Sequence, residues 1–297
     1  MSTLRTAELT LANRAIAYVA LTKPDVTFLV LMTTGAGYYM GTRGPIAWFH
    51  MVYTVFATML IAAGTSALNH YLERETDRHM RRTASRPLPS GILGPSRVLS
   101  FGIFMCFAGA LDLYIVAGAL ASGLGILTCL SYLLAYTPLK KRTVWATFIG
   151  AIPGAIPPMI GWVAASGSLD LGAWLLFGIL FFWQFPHFLA IAWMYREDYA
   201  RAGILMLPVV DREGKRTFTQ IVLYAAGLVA VSLLPAICGL AGVVYFFGAL
   251  VTCTGLVQVC LWAASSKANV RAKWLMHATV MHIPILLGLM IYDKLPR

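Results

Sequence analysis

The sequence predicts an all-α polytopic membrane protein with nine transmembrane helices, and three observations predict it. Of the 297 residues, 59% are hydrophobic and only 12% charged, against about a quarter charged in an ordinary soluble domain. That excludes a single water-soluble core. Apolar stretches of about twenty residues, long enough at 1.5 Å per residue to cross roughly 30 Å of hydrocarbon, recur along the whole length. Finally, 20 of the 23 Lys and Arg residues fall on one side of the resulting topology. No ladder of alternating ten-residue segments is present, which disfavours a barrel.

The first 23 residues, a polar lead, lack the compact apolar core and small-residue cleavage site of a secretory signal. They are expected to form a short amphipathic helix at the membrane interface, stopped by Lys23-Pro24. The first two spans are placed at 24–42 and 46–68. Spans at 98–115 and 117–136 almost touch, so they are expected to form a tight helical hairpin. The fifth, 144–164, contains FIGAIPGAIPPMIGW, whose Gly and Pro content predicts irregular backbone and close helix approach. The sixth, 172–193, carries Gln184, Pro186 and His187 inside an aromatic run, and polar groups in hydrocarbon are expected to face the bundle interior. Spans at 217–237, 241–262 and 275–292 complete the set. With no soluble block or long linker between them, residues 1–297 form one domain.

The net charge of +11 raises nucleic acid as a partner, but its distribution argues for membrane lipid instead. The positive-inside rule puts the amino terminus and every long loop in the cytoplasm, in the bacterial inner membrane ahead of a mitochondrial one. The five cysteines form no C-x-x-C pair and read as small apolar residues of the spans. His50 has no assigned role.

Polar chemistry collects in the long loops. The run NHYLERETDRHMRRTASR packs three carboxylates and five arginines into eighteen residues. Asn69, Glu73 and Asp77 fall at i, i+4 and i+8, within an arc of roughly 80°, so one helical face presents an amide and two carboxylates. Like charges one turn apart repel, so a cation is expected over that face. Oxygen-only ligands favour a hard ion such as Mg²⁺. The alternative is a juxtamembrane helix laced with salt bridges, in which Arg74, Arg78 and Arg81 neutralise Glu73 and Asp77. Arg82, Arg86 and the Pro87-Leu88-Pro89 break favour a diphosphate site, because guanidinium forks match phosphate oxygens. A second loop, YTPLKKRT, adds Tyr136, Lys140, Lys141 and Arg142; a third adds Tyr195, Glu197, Asp198, Tyr199 and Arg201. Each is also readable as topology-setting charge or a solvated loop.

Asn69-xxx-Glu73-xxx-Asp77, followed by Met80, Arg82-Thr83 and Arg86-Pro87-Leu88, resembles the first polar motif of the intramembrane prenyltransferase superfamily, in its haem O synthase branch. YTPLKKRT, GAIPGAIPPMIGW, WQFPHF and REDYARAGILMLP are similar to further stretches of that branch, so the resemblance runs in order along nearly the whole chain. It implies a helical bundle around a central cavity open to lipid and capped by the inner loops. It also implies transfer of farnesyl from farnesyl diphosphate to haem b, giving haem O and diphosphate with Mg²⁺ as cofactor, for terminal oxidase biogenesis. A haem A synthase or oxidase assembly factors are then the downstream partners. Asn69, Glu73 and Asp77 would hold the metal, with Asp198 as a further catalytic acid. Arg82, Arg86, Lys140, Lys141 and Arg142 would hold the diphosphate, and Tyr136, Gln184, His187 and Tyr199 the haem or prenyl chain. Quinone-precursor relatives carry a second aspartate-rich motif, and the aligned positions here are Tyr195 and Tyr199. Three rival functions remain at this point: a prenyltransferase for another aromatic acceptor, a transporter, and a non-catalytic haem-binding assembly protein.

Overall fold

The computed structural model describes residues 11–296, and within them every regular element is helical. The expected amphipathic lead helix is α1, Leu11–Leu21, which a 51° bend at Lys23-Pro24 separates from α2, Pro24–Gly41. The rest of the lead, 1–10, lies outside the described residues. Lys23 has a left-handed backbone (φ 46°), and proline at the next position starts a new helix in a new direction.

Helix α3, Trp48–Asp77, runs without a break through the 46–68 span and the polar run that follows. Its 30 residues make a rod of about 45 Å, longer than the roughly 30 Å of hydrocarbon. The last nine residues therefore stand clear of the span, and they carry Asn69, Glu73 and Asp77.

Helix α4, Pro95–Leu130, contains the expected hairpin. Gly118 (φ 84°, ψ 177°) breaks it with a conformation that only glycine adopts at low cost. Ser122 Oγ donates to the Ala110 carbonyl (2.8 Å), the Cys106 and Cys129 sulfurs lie 3.6 Å apart, and Leu113 packs on Gly125. Partners that converge on Gly118 from both sides make the two arms antiparallel. His50 closes the tip: Nε2 pairs with the Val116 carbonyl (2.8 Å) and Nδ1 with the Tyr38 hydroxyl (2.7 Å). The returning arm ends in a π-helical turn, Ser131–Tyr136, and a short α5, Thr137–Leu139.

The Gly/Pro-rich span is divided, as its composition predicts, into α6, Ala146–Ala155, and α7, Pro157–Ser166. Its glycines let backbones touch: a Cβ on Gly161 would run into the Thr34 carbonyl, and one on Gly37 into the Pro158 carbonyl. Helix α8, Leu171–Met194, follows, then the short α9, Arg196–Arg201, and α10, Leu207–Val210. Helices α11, Lys215–Ile237, α12, Val243–Ser266, and α13, Asn269–Tyr292, complete the bundle.

Among the described residues, seven helices are long and apolar enough to cross a membrane, or eight when the bent α1–α2 pair counts as one span. Large apolar side chains such as Phe28, Phe49, Phe104, Phe107 and Val251 are exposed on the outside, as in a molecule solvated by lipid. This is an integral membrane protein.

Candidate functional site

At the free end of α3 the connections 78–94, 140–145 and 195–206 come together. Met80 packs with Ala192, Ile204 and Met206, and Tyr199 lies against that cluster. The Leu205 amide donates to the Lys140 carbonyl (2.7 Å), joining the second loop to the third. Arg82 Nη2 reaches the Tyr199 hydroxyl (3.5 Å), and its guanidinium lies 5.0 Å from the Tyr195 ring centre. The three charged loops thus form one surface.

The helical spacing puts Asn69, Glu73 and Asp77 on one face, and a separate cation meets each. Lys23 Nζ donates to Asn69 Oδ1 (2.9 Å), Lys140 Nζ to Glu73 Oε1 (2.8 Å) and Arg86 Nη1 to Asp77 Oδ2 (2.8 Å). The alternative neutralisation from within the helix does not occur. Arg74 and Arg78 pair with Glu75 instead, which points away from this face. Local structure explains the partners. The turns after α3 return Arg86 nine residues later, with Thr83 Oγ1 donating to the Asp77 carbonyl (2.9 Å). Thr137 Oγ1 accepts from Asn69 Nδ2 (3.3 Å) and so fixes the stretch that delivers Lys140.

Burial opposes the charge on Glu73, yet the Lys140 ammonium, with Lys23 and Asn69 behind it, holds its carboxyl below the usual range. Burial likewise opposes the charge on Lys140, and Glu73 overcomes it, holding the ammonium well above its ordinary value. Lys140 Nζ also lies 4.3 Å from the Tyr136 ring centre, a further favourable contact for a cation.

Two observations bear on a metal. Asp77 Oδ1 is buried and has no hydrogen-bond partner, and a buried orphan oxygen is costly unless something occupies it. The facing donors are all oxygens, a set that suits a hard divalent ion. Among the described residues no group of three or more His, Cys, Asp or Glu side chains surrounds a metal position, since one of this triad is an amide.

The remaining expected residues separate into two groups. Lys141 and Arg142 are exposed beside Lys140. Asp198 forms an ion pair with Arg201 within α9. Tyr195 and Tyr199 receive Arg82. The other group lies deeper in the bundle. Gln184 is buried between α8 and α6, with its amide nitrogen spent on the Ala151 and Leu180 carbonyls (3.0 and 3.1 Å), and the structure does not bring it to the loops. His187 stacks on Trp183 (4.9 Å between ring centres) and pairs through Nδ1 with Thr279 Oγ1 (2.8 Å). Lys23 joins this site without a signal in the sequence, where a lysine before Pro24 reads only as a helix stop.

The sequence profile described as the UbiA prenyltransferase family matches residues 30–282. Protoheme IX farnesyltransferase from Solibacter usitatus is 47% identical over 286 residues, covering 93% of this chain and 98% of its own. The protein of that name from Aquifex aeolicus is 39% identical, covering 93% and 94%. Among solved structures, digeranylgeranylglyceryl phosphate synthase superposes with a TM-score of 0.78 at 18% identity, over 94% of this chain and 98% of that one. A UbiA homolog from Archaeoglobus fulgidus bound to GPP and Mg²⁺ superposes with a TM-score of 0.65 at 12% identity, over 92% and 99%. Identities that low carry the fold alone.

Proposed function

The chain belongs to the UbiA prenyltransferase family, in its protoheme IX farnesyltransferase branch, and from that premise we propose that it joins farnesyl diphosphate to the vinyl group of haem b, with addition of water, to give haem O. The observation that carries this reading is the face of α3 on which Asn69, Glu73 and Asp77 each meet a separate cation. It supplies both halves of a diphosphate site: acidic oxygens for a divalent ion and basic groups for phosphate oxygens.

Asn69, Glu73 and Asp77 would hold Mg²⁺, which when bound supplies Lewis-acid withdrawal of charge from the diphosphate. Arg82, Arg86, Lys140, Lys141 and Arg142 bind the phosphate oxygens and stabilise the negative charge that grows on them as the allylic carbon–oxygen bond breaks. The guanidinium of Arg82, exposed and 5.0 Å from the Tyr195 ring centre, is positioned to meet the diphosphate first. Delocalisation over the isoprenoid spreads the positive charge left behind, and the Tyr136 ring offers it an electron-rich face. The vinyl terminal carbon then bonds to that carbon. The cation so formed next to the macrocycle takes up water and loses a proton, leaving a hydroxyethylfarnesyl group and diphosphate. Asp198, in the third loop, is the candidate further acid. Tyr199, which meets Arg82, is a candidate for lining the substrate path, and Gln184 one for supporting the α6–α8 wall behind it.

His187 is the proposed haem contact. It lies eight residues before Tyr195, about 12 Å deeper along α8. That separation suits a porphyrin in the lipid-facing interior with the diphosphate at the wet boundary. Counting the two arms around Gly118 separately, we place nine crossings around a central cavity. The loops and the 20 basic residues face the cytoplasm across the bacterial inner membrane.

An acceptor competition tests the reading. Purified protein given farnesyl diphosphate, Mg²⁺ and equal amounts of haem b and a phenolic acid is expected to prenylate haem alone. Prenylated phenolic acid as the main product would overturn it in favour of a quinone-precursor enzyme.

A further inference from the structure

Lys23 is the one cation of the three on the α3 face whose partner bears no charge. Lys140 and Arg86 meet carboxylates, whereas Lys23 meets only the amide oxygen of Asn69. An ammonium has three hydrogens to donate, and one is used. Lys23 is half-buried, and a charge held away from water without a charged partner is costly.

The surroundings are short of acceptors in the same way. His70, one residue beyond Asn69, is 2% exposed and neither of its ring nitrogens has a partner. The charges acting on it are those of Lys23 and Arg86. Two donor-bearing side chains at one spot, Lys23 and His70, lack the oxygens that would satisfy them.

The backbone holds Lys23 there at a cost. It is one of two non-glycine residues with positive φ among the described residues, at 46°, and such strain persists where neighbours impose it. The Thr27 hydroxyl donates to the Thr22 carbonyl (2.6 Å) and the Thr27 amide to the Lys23 carbonyl (3.0 Å), bracing the bend. Helix α1 is anchored in turn: Ala17 and Leu21 pack with Ala67 of α3 and with Leu88, Leu93 and Val98.

We propose that Lys23, carried into the site by the α1–α2 bend, is a diphosphate-binding residue that leaves Asn69 for a phosphate oxygen when substrate and divalent ion bind, with His70 donating beside it. The inference rests on the diphosphate reading of the α3 face. Charge favours an anion there: with Glu73 and Asp77 set against Lys140 and Arg86, a bound divalent ion leaves this face net positive, and Lys23 adds to that excess.

The test uses the full chain in detergent with Mg²⁺ and inorganic pyrophosphate as the probe. Lys23→Gln keeps a neutral donor for Asn69 and Lys23→Arg keeps the charge. The Gln variant should raise the KM for farnesyl diphosphate and the inhibition constant of pyrophosphate about tenfold or more, while the Arg variant stays within about threefold of wild type. In the wild-type protein, Mg²⁺-pyrophosphate should slow acylation of Lys23 by an amine reagent about tenfold, read by peptide mass, whereas Mg²⁺ alone should not. Wild-type pyrophosphate affinity in Lys23→Gln, or Lys23 labelling indifferent to pyrophosphate, overturns the proposal. Asp77→Asn run alongside separates the two levels. If it loses Mg²⁺-dependent pyrophosphate binding while Lys23→Gln does not, only the role of Lys23 fails; if it binds normally, the underlying diphosphate reading fails too.

Discussion

Arg86 Nη1 lies 2.8 Å from Asp77 Oδ2, while the second oxygen of that buried carboxylate, Oδ1, has no partner. The pair is half of an interaction. One oxygen is neutralised from the loop, and on the proposed reading the other meets the ligand, so Asp77→Asn should retain the shape of the site and lose its function. Turnover is expected to fall by about 10²-fold or more, the scale of removing one preorganised electrostatic group. The variant should still elute as folded protein in size-exclusion chromatography.

Arg82 and Arg86 should separate when each is changed to Met. Arg82 is exposed over Tyr195 and bonds no carboxylate, so its loss should raise the KM for farnesyl diphosphate about tenfold and leave the melting temperature nearly unchanged. Loss of Arg86 strands Asp77, which is 0% exposed, and breaking a buried pair from one side is strongly destabilising, by about 3–5 kcal/mol. Thermal unfolding and steady-state kinetics of the two variants check the contrast.

The Glu73–Lys140 pair sets an acid limit. Glu73 has a folded-state pKa below its unfolded one, so the stability it contributes is present above the unfolded value of about 4.3 and is lost as pH falls through the lower, folded value. Lys140→Met removes the main charge holding that carboxyl down and leaves burial, which pushes it up. The melting temperature of the variant should therefore decline at a higher pH than that of wild type in a series from about pH 3 to 7.

Gly161→Ala tests the packing of α2 on α7. A Cβ there meets the Thr34 carbonyl, which is backbone and cannot rotate away. Overpacking of this kind costs about 1–3 kcal/mol, and a lowered melting temperature with unchanged KM is the expected outcome.

The spans were legible because apolar length is a local property, and so were the hairpin at Gly118 and the break in the Gly/Pro-rich helix. The face carrying Asn69, Glu73 and Asp77 was legible because helical spacing fixes it. What the pattern did not contain was pairing at long range. Glu73 and Lys140 are 67 positions apart, and Lys23 and Asn69 46 apart, so only the folded chain shows which cation meets which oxygen. His50 was unreadable for the same reason: its partners, Tyr38 and Val116, belong to different helices. The partners of Gln184 were unreadable too, because a polar residue in hydrocarbon demands a partner without saying which, and here the Ala151 and Leu180 carbonyls supply it.

On the proposed function, oxygens on one face of α3 hold a divalent ion against which diphosphate leaves a farnesyl chain bound for haem. The most direct measurement is the mass of the haem recovered after purified protein is incubated with farnesyl diphosphate and haem b, with Mg²⁺ or with a chelator. A haem heavier by one farnesyl group and one water is expected, formed with Mg²⁺ and absent with chelator. Equal product under both conditions, or no heavier haem under either, would contradict it.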